Sequence, residues 1–314
     1  QIEEGRNFAT KLWNVARFRQ MHGASNPAPK IDTQALSIFA IEVLARLNET
    51  IDAIEDAYRE YQFNIVAQRL YDFVWSDYCD WFVEAAKTDI FGEDEAKKKS
   101  ALAVMDFVLS AILRLLHPFM PHITEELWAL LGFAPESTAI SIQFTALPQT
   151  ISLGDEARVR SARAAVSRIH DHVRLHRNAR AAEGIPVNKS LPVLFRFDQA
   201  LPEMKEELKT FERLLSAEPL KVTDVFPSLT GVTAVSAIGE SRVEIIQSNK
   251  NAEKERLDKE IARLEADLHT LQAKLDNKSF VDRAPVTVVE EHRQRLKAFN
   301  AQLAKLKHAR ERLT

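Results

Sequence analysis

The chain has 314 residues, a net charge of −3, 46% hydrophobic residues and one cysteine, so there is room for two or three domains with a sizeable core. Cys79 alone excludes a disulfide framework and any multi-cysteine zinc site, and it fits a reducing, cytoplasmic compartment. No apolar run approaches the length of a membrane span and no signal-peptide pattern opens the chain, which starts at Gln1 without a methionine and reads as a piece of something longer. Charge is unevenly spread. Residues 1–147 carry 13 Lys/Arg against 21 Asp/Glu, residues 148–249 carry 14 against 13, and residues 250–314 carry 15 against 11. The positive bias grows towards the end, which suits a polyanionic partner there.

Residues 1–147 read as a helical bundle. The first helix places Phe8, Leu12, Trp13 and Val15 on a core side. A second, from about Leu36 to Tyr61, repeats Leu44, Leu47, Ile51, Ile54, Tyr58 and Tyr61 at four-three spacing. A third, about Phe63 to Lys87, is rich in aromatics: Tyr71, Phe73, Trp75, Tyr78, Trp81 and Phe82. A fourth, about Glu95 to Leu116, is apolar around most of its circumference and is expected at the centre. Asn26-Pro-Ala-Pro29 and His117-Pro-Phe-Met-Pro121 break helices, Thr124 to Leu131 makes a short fifth one, and Ile140 to Leu147 alternates like a strand.

Residues 148–248 predict a small α+β domain. Val159, Ala162, Val166, Ile169 and Val173 define an amphipathic helix that Gly184-Ile-Pro186 ends. Strands are expected over Leu191–Phe197, Lys221–Phe226, Val232–Ile238 and Ser241–Gln247, with a helix near Pro202–Ser216 and a hairpin turn at Gly239-Glu240. Ser248 to Asn251 reads as a linker.

Residues 249–314 carry a heptad seam. Leu257, Ile261, Leu264, Leu268, Leu271 and Leu275 recur at steps of four and three, and Val289, Leu296, Phe299, Leu303, Leu306 and Leu313 resume the pattern. A short proline-containing loop between the two predicts an antiparallel coiled-coil hairpin with arms of roughly 40 Å at about 1.5 Å per residue. Such a rod reaches; it does not enclose a pocket. The fold class expected is mainly α: a helical bundle, a small α+β domain and a long coiled-coil hairpin.

Three stretches are recognisable. Gly5-Arg-Asn-Phe-Ala-Thr-Lys-Leu-Trp-Asn-Val-Ala-Arg-Phe18 resembles the helix opening the anticodon-binding bundle in the valyl/isoleucyl/leucyl group of class I aminoacyl-tRNA synthetases. Tyr71-Asp-Phe-Val-Trp-Ser-Asp-Tyr-Cys-Asp-Trp-Phe-Val-Glu-Ala-Ala-Lys87 resembles its aromatic third helix, and Leu116-His-Pro-Phe-Met-Pro-His-Ile-Thr-Glu-Glu-Leu-Trp128 the signature after the fourth. Phe280-Val-Asp-Arg-Ala-Pro-Val-Thr-Val-Val-Glu290, within its heptad hairpin, resembles the C-terminal arm of bacterial-type valyl-tRNA synthetases. Isoleucyl relatives typically end in cysteine-ligated zinc, which one cysteine cannot build. The chain departs from the family at Thr10, where Asn is usual, at His122, where Phe is usual, and more loosely over Val222–Ser248.

The resemblance implies a tRNA-holding region. The His-Ile-Gly-His and Lys-Met-Ser-Lys-Ser elements that activate amino acids in class I synthetases are absent from this chain, as is any Gly-rich phosphate loop. It is therefore expected to need no cofactor itself, with ATP and magnesium used by the parent's catalytic domain, and to act as a monomer on a valine-accepting tRNA. Holding tRNA takes cations for phosphates and polar or stacking groups for unstacked bases. Arg6, Thr10, Asn14 and Arg17 form a polar stripe on the first helix. Arg160, Arg163, His170, Arg174 and Arg177 form a second stripe, with Arg180 just beyond, and arginine suits phosphate. On the arm, Lys254, Lys259, Arg263, Lys274, Arg293, Arg295, Lys305 and Lys307 flank the seam, and the resemblance implies an arm leaning on the outer corner of tRNA. The tip, Phe280, Val281 and Arg283, either stacks on a base or caps the hairpin core.

Other features read as structural. His172 and His176 lie one helical turn apart but lack further metal ligands; the aromatic run belongs to the core, and Cys79 to packing. The competing functions are another synthetase of the same group and a non-catalytic coiled-coil scaffold, which sedimentation separates because an intermolecular coil makes a dimer.

Overall fold

Two side-chain caps set where the long bundle helices begin. The computed structural model describes residues 2–133, 141–187, 189–198, 204, 206–226, 231–243, 247–276 and 286–311. The first helix, α1 (Ile2–Gln20), buries Phe8, Leu12, Val15 and Ala16. Ser37 then caps α2 (Ile38–Arg59) by accepting the Ala40 N–H, and α2 buries Leu44, Leu47, Ile51 and Ile54. It stops at Arg59, so Tyr61, expected in its seam, instead takes φ 57° and is 79% exposed.

The aromatic third helix is one rod in three pieces: α3 (Phe63–Asp72), a π-helical segment (Phe73–Phe82) and α4 (Val83–Ile90). The Val83 N–H reaches back to the Tyr78 carbonyl, five residues earlier. A π turn rotates the faces of a helix. Here Phe73, Val74, Tyr78, Cys79, Trp81 and Phe82 all turn inward, while Tyr71, Trp75, Asp77 and Asp80 stay at the surface or its edge. The core assignment of the aromatic run therefore holds for four of its six rings and for Trp75 at the core's edge, and is corrected for Tyr71, which is 37% exposed.

The Asp94 carboxylate accepts the Ala96 and Lys97 N–H groups and starts α5 (Glu95–Leu116), whose Val104, Met105, Val108, Leu109, Ile112 and Leu113 are fully buried. Its all-round apolar surface makes it the centre of the bundle. Pro121 occupies the first turn of α6 (Pro121–Leu130). The strand expected at 140–147 does not form. Ile142–Phe144 is a single 3₁₀ turn, because Glu125 takes the Ser141 hydroxyl (2.7 Å) and the Ile142 N–H (3.4 Å). Ile140 lies outside the described residues.

Capped by Asp155, α7 (Glu156–Ala182) packs against α2 on one side and a four-stranded sheet on the other. The strands are β1 (Leu191–Phe197), β2 (Ala217–Val222), β3 (Val232–Ser236) and β4 (Gly239–Val243), in the order β2-β1-β4-β3. β1 and β2 run parallel, joined across α8 (Leu208–Leu214), and the other pairs are antiparallel. The second strand lies four residues earlier than its apolar pattern predicts, because pairing with β1 begins at Leu191–Ala217. The hairpin turn is at 237–238 rather than Gly239-Glu240. Gly239 instead opens β4 at φ 149°, where a Cβ would come within 2.0 Å of the Arg196 carbonyl oxygen, so the glycine serves close strand approach rather than the turn.

The last two helices, α9 (Gln247–Asp276) and α10 (Val286–Glu311), lie side by side. Ion pairs Lys307–Glu265 (2.8 Å) and Arg310–Asp258 (2.9 Å) connect them. The segment expected as a linker, 248–251, is already helical. The described chain is thus mainly helical with one small mixed sheet, and none of its helices is long and apolar enough to cross a membrane.

Candidate nucleic-acid interface

All four residues of the α1 stripe, Arg6, Thr10, Asn14 and Arg17, are exposed. Arg6 lies 3.5 Å from Glu3, and the Thr10 hydroxyl donates to the Arg6 carbonyl (2.9 Å). Trp13 joins them. It was expected on the core side, but Leu12 and Ala16 take that side, and at 3.6 residues per turn Trp13 falls in line with Arg6 and Arg17; it is 36% exposed. A flat ring among cations and amides is the kind of surface on which an unstacked base can lie.

The α7 stripe divides. Arg160 pairs with Glu156 in the solvent (3.3 Å). Arg163 is clamped between Glu42 (2.9 Å) and Glu49 (2.6 Å) of α2, so its fork joins two helices. Arg180 is 1% exposed and donates to the carbonyls of Leu215, Pro186 and Lys189. Its expected role in tRNA contact is corrected accordingly: its charge caps loops inside the protein, because three carbonyls converge where the helix ends. Arg163 is corrected in part, since its donors already face carboxylates. His170 is half-buried. Its ring stacks 3.7 Å from that of Trp81, and burial, with Arg174 and Arg177 nearby, pushes it down to about 3.

Arg174 remains exposed and Arg177 half-buried, and both lie over Trp81, at 5.6 and 5.2 Å from the ring centre. Arg174 also pairs with Asp171 (3.1 Å), and Arg177 donates to the Leu214 carbonyl (3.3 Å). They belong to a larger arrangement that sequence reasoning missed. Lys11 lies 3.8 Å from the centre of the Trp75 ring and pairs with Asp80. Lys87 sits over Phe18 and pairs with Glu84. Arg213 sits over Phe91 and lies 3.9 Å from the same Glu84. No local pattern groups residues 11, 87, 174, 177 and 213; only the packing of α1, α4, α7 and α8 does.

On the last two helices Lys259, Arg263, Lys274 and Arg293 are exposed, Arg293 lying 3.8 Å from Glu290. Lys307 pairs across the two helices and thereby holds them together. Arg283, Phe280 and Val281 lie outside the described residues, as does the side chain of Lys305.

The two histidines one turn apart are engaged with serines. His172 bonds Ser236 (2.8 Å) and Ser241 (2.9 Å), His176 bonds Ser241 (3.0 Å), and burial lowers the two rings to about 4 and about 3. The Cys79 thiol is buried and pushed up to about 12 by desolvation, which leaves it inert at neutral pH.

Residues 41–195 match the family model of the anticodon-binding domain of tRNA ligase, and residues 251–314 match that of the valyl tRNA synthetase tRNA binding arm. The valine–tRNA ligase of Oceanobacillus iheyensis is 33% identical over 98% of the chain, that of Listeria innocua 32% over 95%, and that of Bacillus subtilis 32% over 96%. In each case the chain spans 34% of the relative's own length. Two matched modules in this order, with relatives of one kind along nearly the whole chain, place it: the chain belongs to the valyl-tRNA synthetase family, as the region that carries the anticodon-binding domain and the tRNA-binding arm.

Proposed function

We propose that this chain holds a valine-accepting tRNA for a catalytic body elsewhere in its parent protein, gripping the anticodon with the bundle and the tRNA body with the last two helices. The observation that carries this reading is the joining, in one chain, of a matched anticodon-binding segment to a matched tRNA binding arm. The chain divides into a bundle (1–147), an α+β domain (148–248) and a coiled-coil hairpin arm (249–314), and the bundle and the arm share the task of holding tRNA. The α1 stripe reads anticodon bases, with Asn14 and Thr10 as hydrogen-bonding groups, Trp13 as a stacking face and Arg6 and Arg17 on adjoining phosphates. The arm acts through Lys259, Arg263, Lys274 and Arg293, whose charges lie outside the seam and neutralise phosphates at the outer corner of tRNA. The cross-helix pairs and the apolar seam support a hairpin within one chain, hence a monomer, and the single cysteine fits a cytoplasmic setting. Valine activation, with its ATP and magnesium, belongs to the parent's catalytic portion.

Protection footprinting with the full chain and a valine-accepting tRNA at low salt is expected to cover both the anticodon loop and the outer corner. Absence of any binding at low ionic strength would overturn the reading. Asn14→Ala is expected to change the ranking of tRNAs that differ only in the anticodon, and equal weakening for all of them refutes base reading by Asn14.

A further inference from the structure

The surface where α1, α4, α7 and α8 meet carries five cations, each on an aromatic face: Lys11 on Trp75, Lys87 on Phe18, Arg174 and Arg177 on Trp81, and Arg213 on Phe91. Of eight cation–ring contacts among the described residues, five fall on this one face. We infer that this face seats the phosphate backbone of a base-paired RNA stem, a contact separate from the base-reading stripe on the outer side of α1. The inference rests on the tRNA-holding function proposed above.

Three observations carry it. First, the five cations outnumber the carboxylates they touch, Asp80, Glu84 and Asp171, so the patch is locally positive, with Lys11 and Lys87 drawn from the net acidic 1–147 stretch and the three arginines from 148–249. A local excess of positive charge attracts a polyanion. Second, the rings and carboxylates hold the long side chains in place before anything binds. Less rotamer freedom is then lost on phosphate contact than a free surface lysine or arginine would lose. Third, both tryptophans of the patch already have partners. Trp75 meets Lys11 and the Tyr71 ring (5.7 Å), and Trp81 meets the His170 ring and the two arginines, while Phe91 is 62% exposed. The tryptophans are thus engaged, and the patch meets a ligand chiefly through its cations. Charge without base contacts positions a backbone and is indifferent to sequence. From Lys11 to the Phe18–Lys87 contact is about 10 Å along α1.

The test uses the full chain and two tRNAs, the valine-accepting one and the same molecule with its anticodon changed, in filter binding across a salt series. Lys87 and Arg213 are replaced together by alanine, since neither belongs to the α1 stripe. The double variant is expected to bind both tRNAs roughly tenfold more weakly, with the slope of log K against log salt smaller by about 2. K87R/R213K is expected to restore both. If the wild type binds and K87A/R213A matches it in affinity and slope, this face does not touch RNA. Weakening confined to one anticodon would mean base reading, and loss that K87R/R213K does not restore would mean a purely structural role; each overturns the proposal. If the wild type itself binds no tRNA, the tRNA-holding function falls first and this inference with it.

Discussion

Three histidines on α7, His170, His172 and His176, are each held below the ordinary imidazole value, chiefly by burial. The unfolded chain takes up protons near pH 6.5, while the folded chain holds these rings neutral to about 4 or 3. Stability is therefore complete above pH 6.5 and is lost as pH falls, by up to about 1.4 kcal/mol per pH unit for each ring. Urea unfolding is expected to show a lower midpoint at pH 5 than at pH 7, and His170→Phe, which keeps the stack on Trp81, to flatten that pH dependence by about a third. Asp77 works in the opposite sense. Burial raises its carboxyl to about 6, with Glu42, Glu49 and Asp72 adding to the shift and Arg46 opposing it. Its contribution is present at acid pH and lost as pH rises from about 4 through 6. Asp77→Asn is expected to stabilise the chain by about 1–3 kcal/mol at pH 7 and to do nothing at pH 4; an equal gain at both pH values would show that charge burial is not the cause.

At the scale of elements, α7 is the wall shared by the bundle and the sheet. Arg163 clamps it to α2 through Glu42 and Glu49, and Arg158 donates to the carbonyls of Gln34 and Leu36 before α2 begins. On its other side His172 and His176 converge on one buried hydroxyl, that of Ser241 in β4. Ser241→Ala leaves two buried imidazole nitrogens without that partner and is expected to cost about 1–3 kcal/mol. Chemical denaturation checks it, and a loss below a few tenths would mean that the histidines find other partners. Most of these elements were legible in the chain: the seam of α2, the apolar circumference of α5 and the breaks at proline-rich loops follow from periodicity. The second strand and the hairpin turn were not, because strand register depends on which strand lies alongside, and the close approach of Arg196 decided where Gly239 sits.

For the whole molecule, the uneven charge and the two ion pairs between α9 and α10 bear on how the chain behaves in solution. Glu265 and Asp258 pair with Lys307 and Arg310 within one chain, and the proposed hairpin gives the apolar stripe its partner without a second copy. Sedimentation is expected to give a monomer of 35.6 kDa at all concentrations; a concentration-dependent dimer would assign the stripe to an intermolecular coil instead. Of the candidate contacts, the exposed stripe on α1 was visible at once, since a helix shows its polar face in its spacing. Arg180 was misread because an arginine at a helix end looks the same in sequence whether it faces phosphate or buried carbonyls. Lys11, Lys87 and Arg213 were missed for the complementary reason: each is an ordinary surface cation along the chain.

The sequence by itself determined the helical bundle, the heptad seam, the absence of amino-acid-activating motifs and the family resemblance, all of which are local patterns or strings of residues. Only the tertiary structure decided which cations share a face, which are buried in helix-to-helix clamps, and how the π segment turns four aromatic rings inward, with Trp75 at the core's edge and Tyr71 exposed. The physical reason is the range of the interactions. Helix periodicity is set within a few residues, whereas a cation on a ring or between two carboxylates depends on partners 69 to 129 positions away, brought together by packing that no short stretch of the chain encodes.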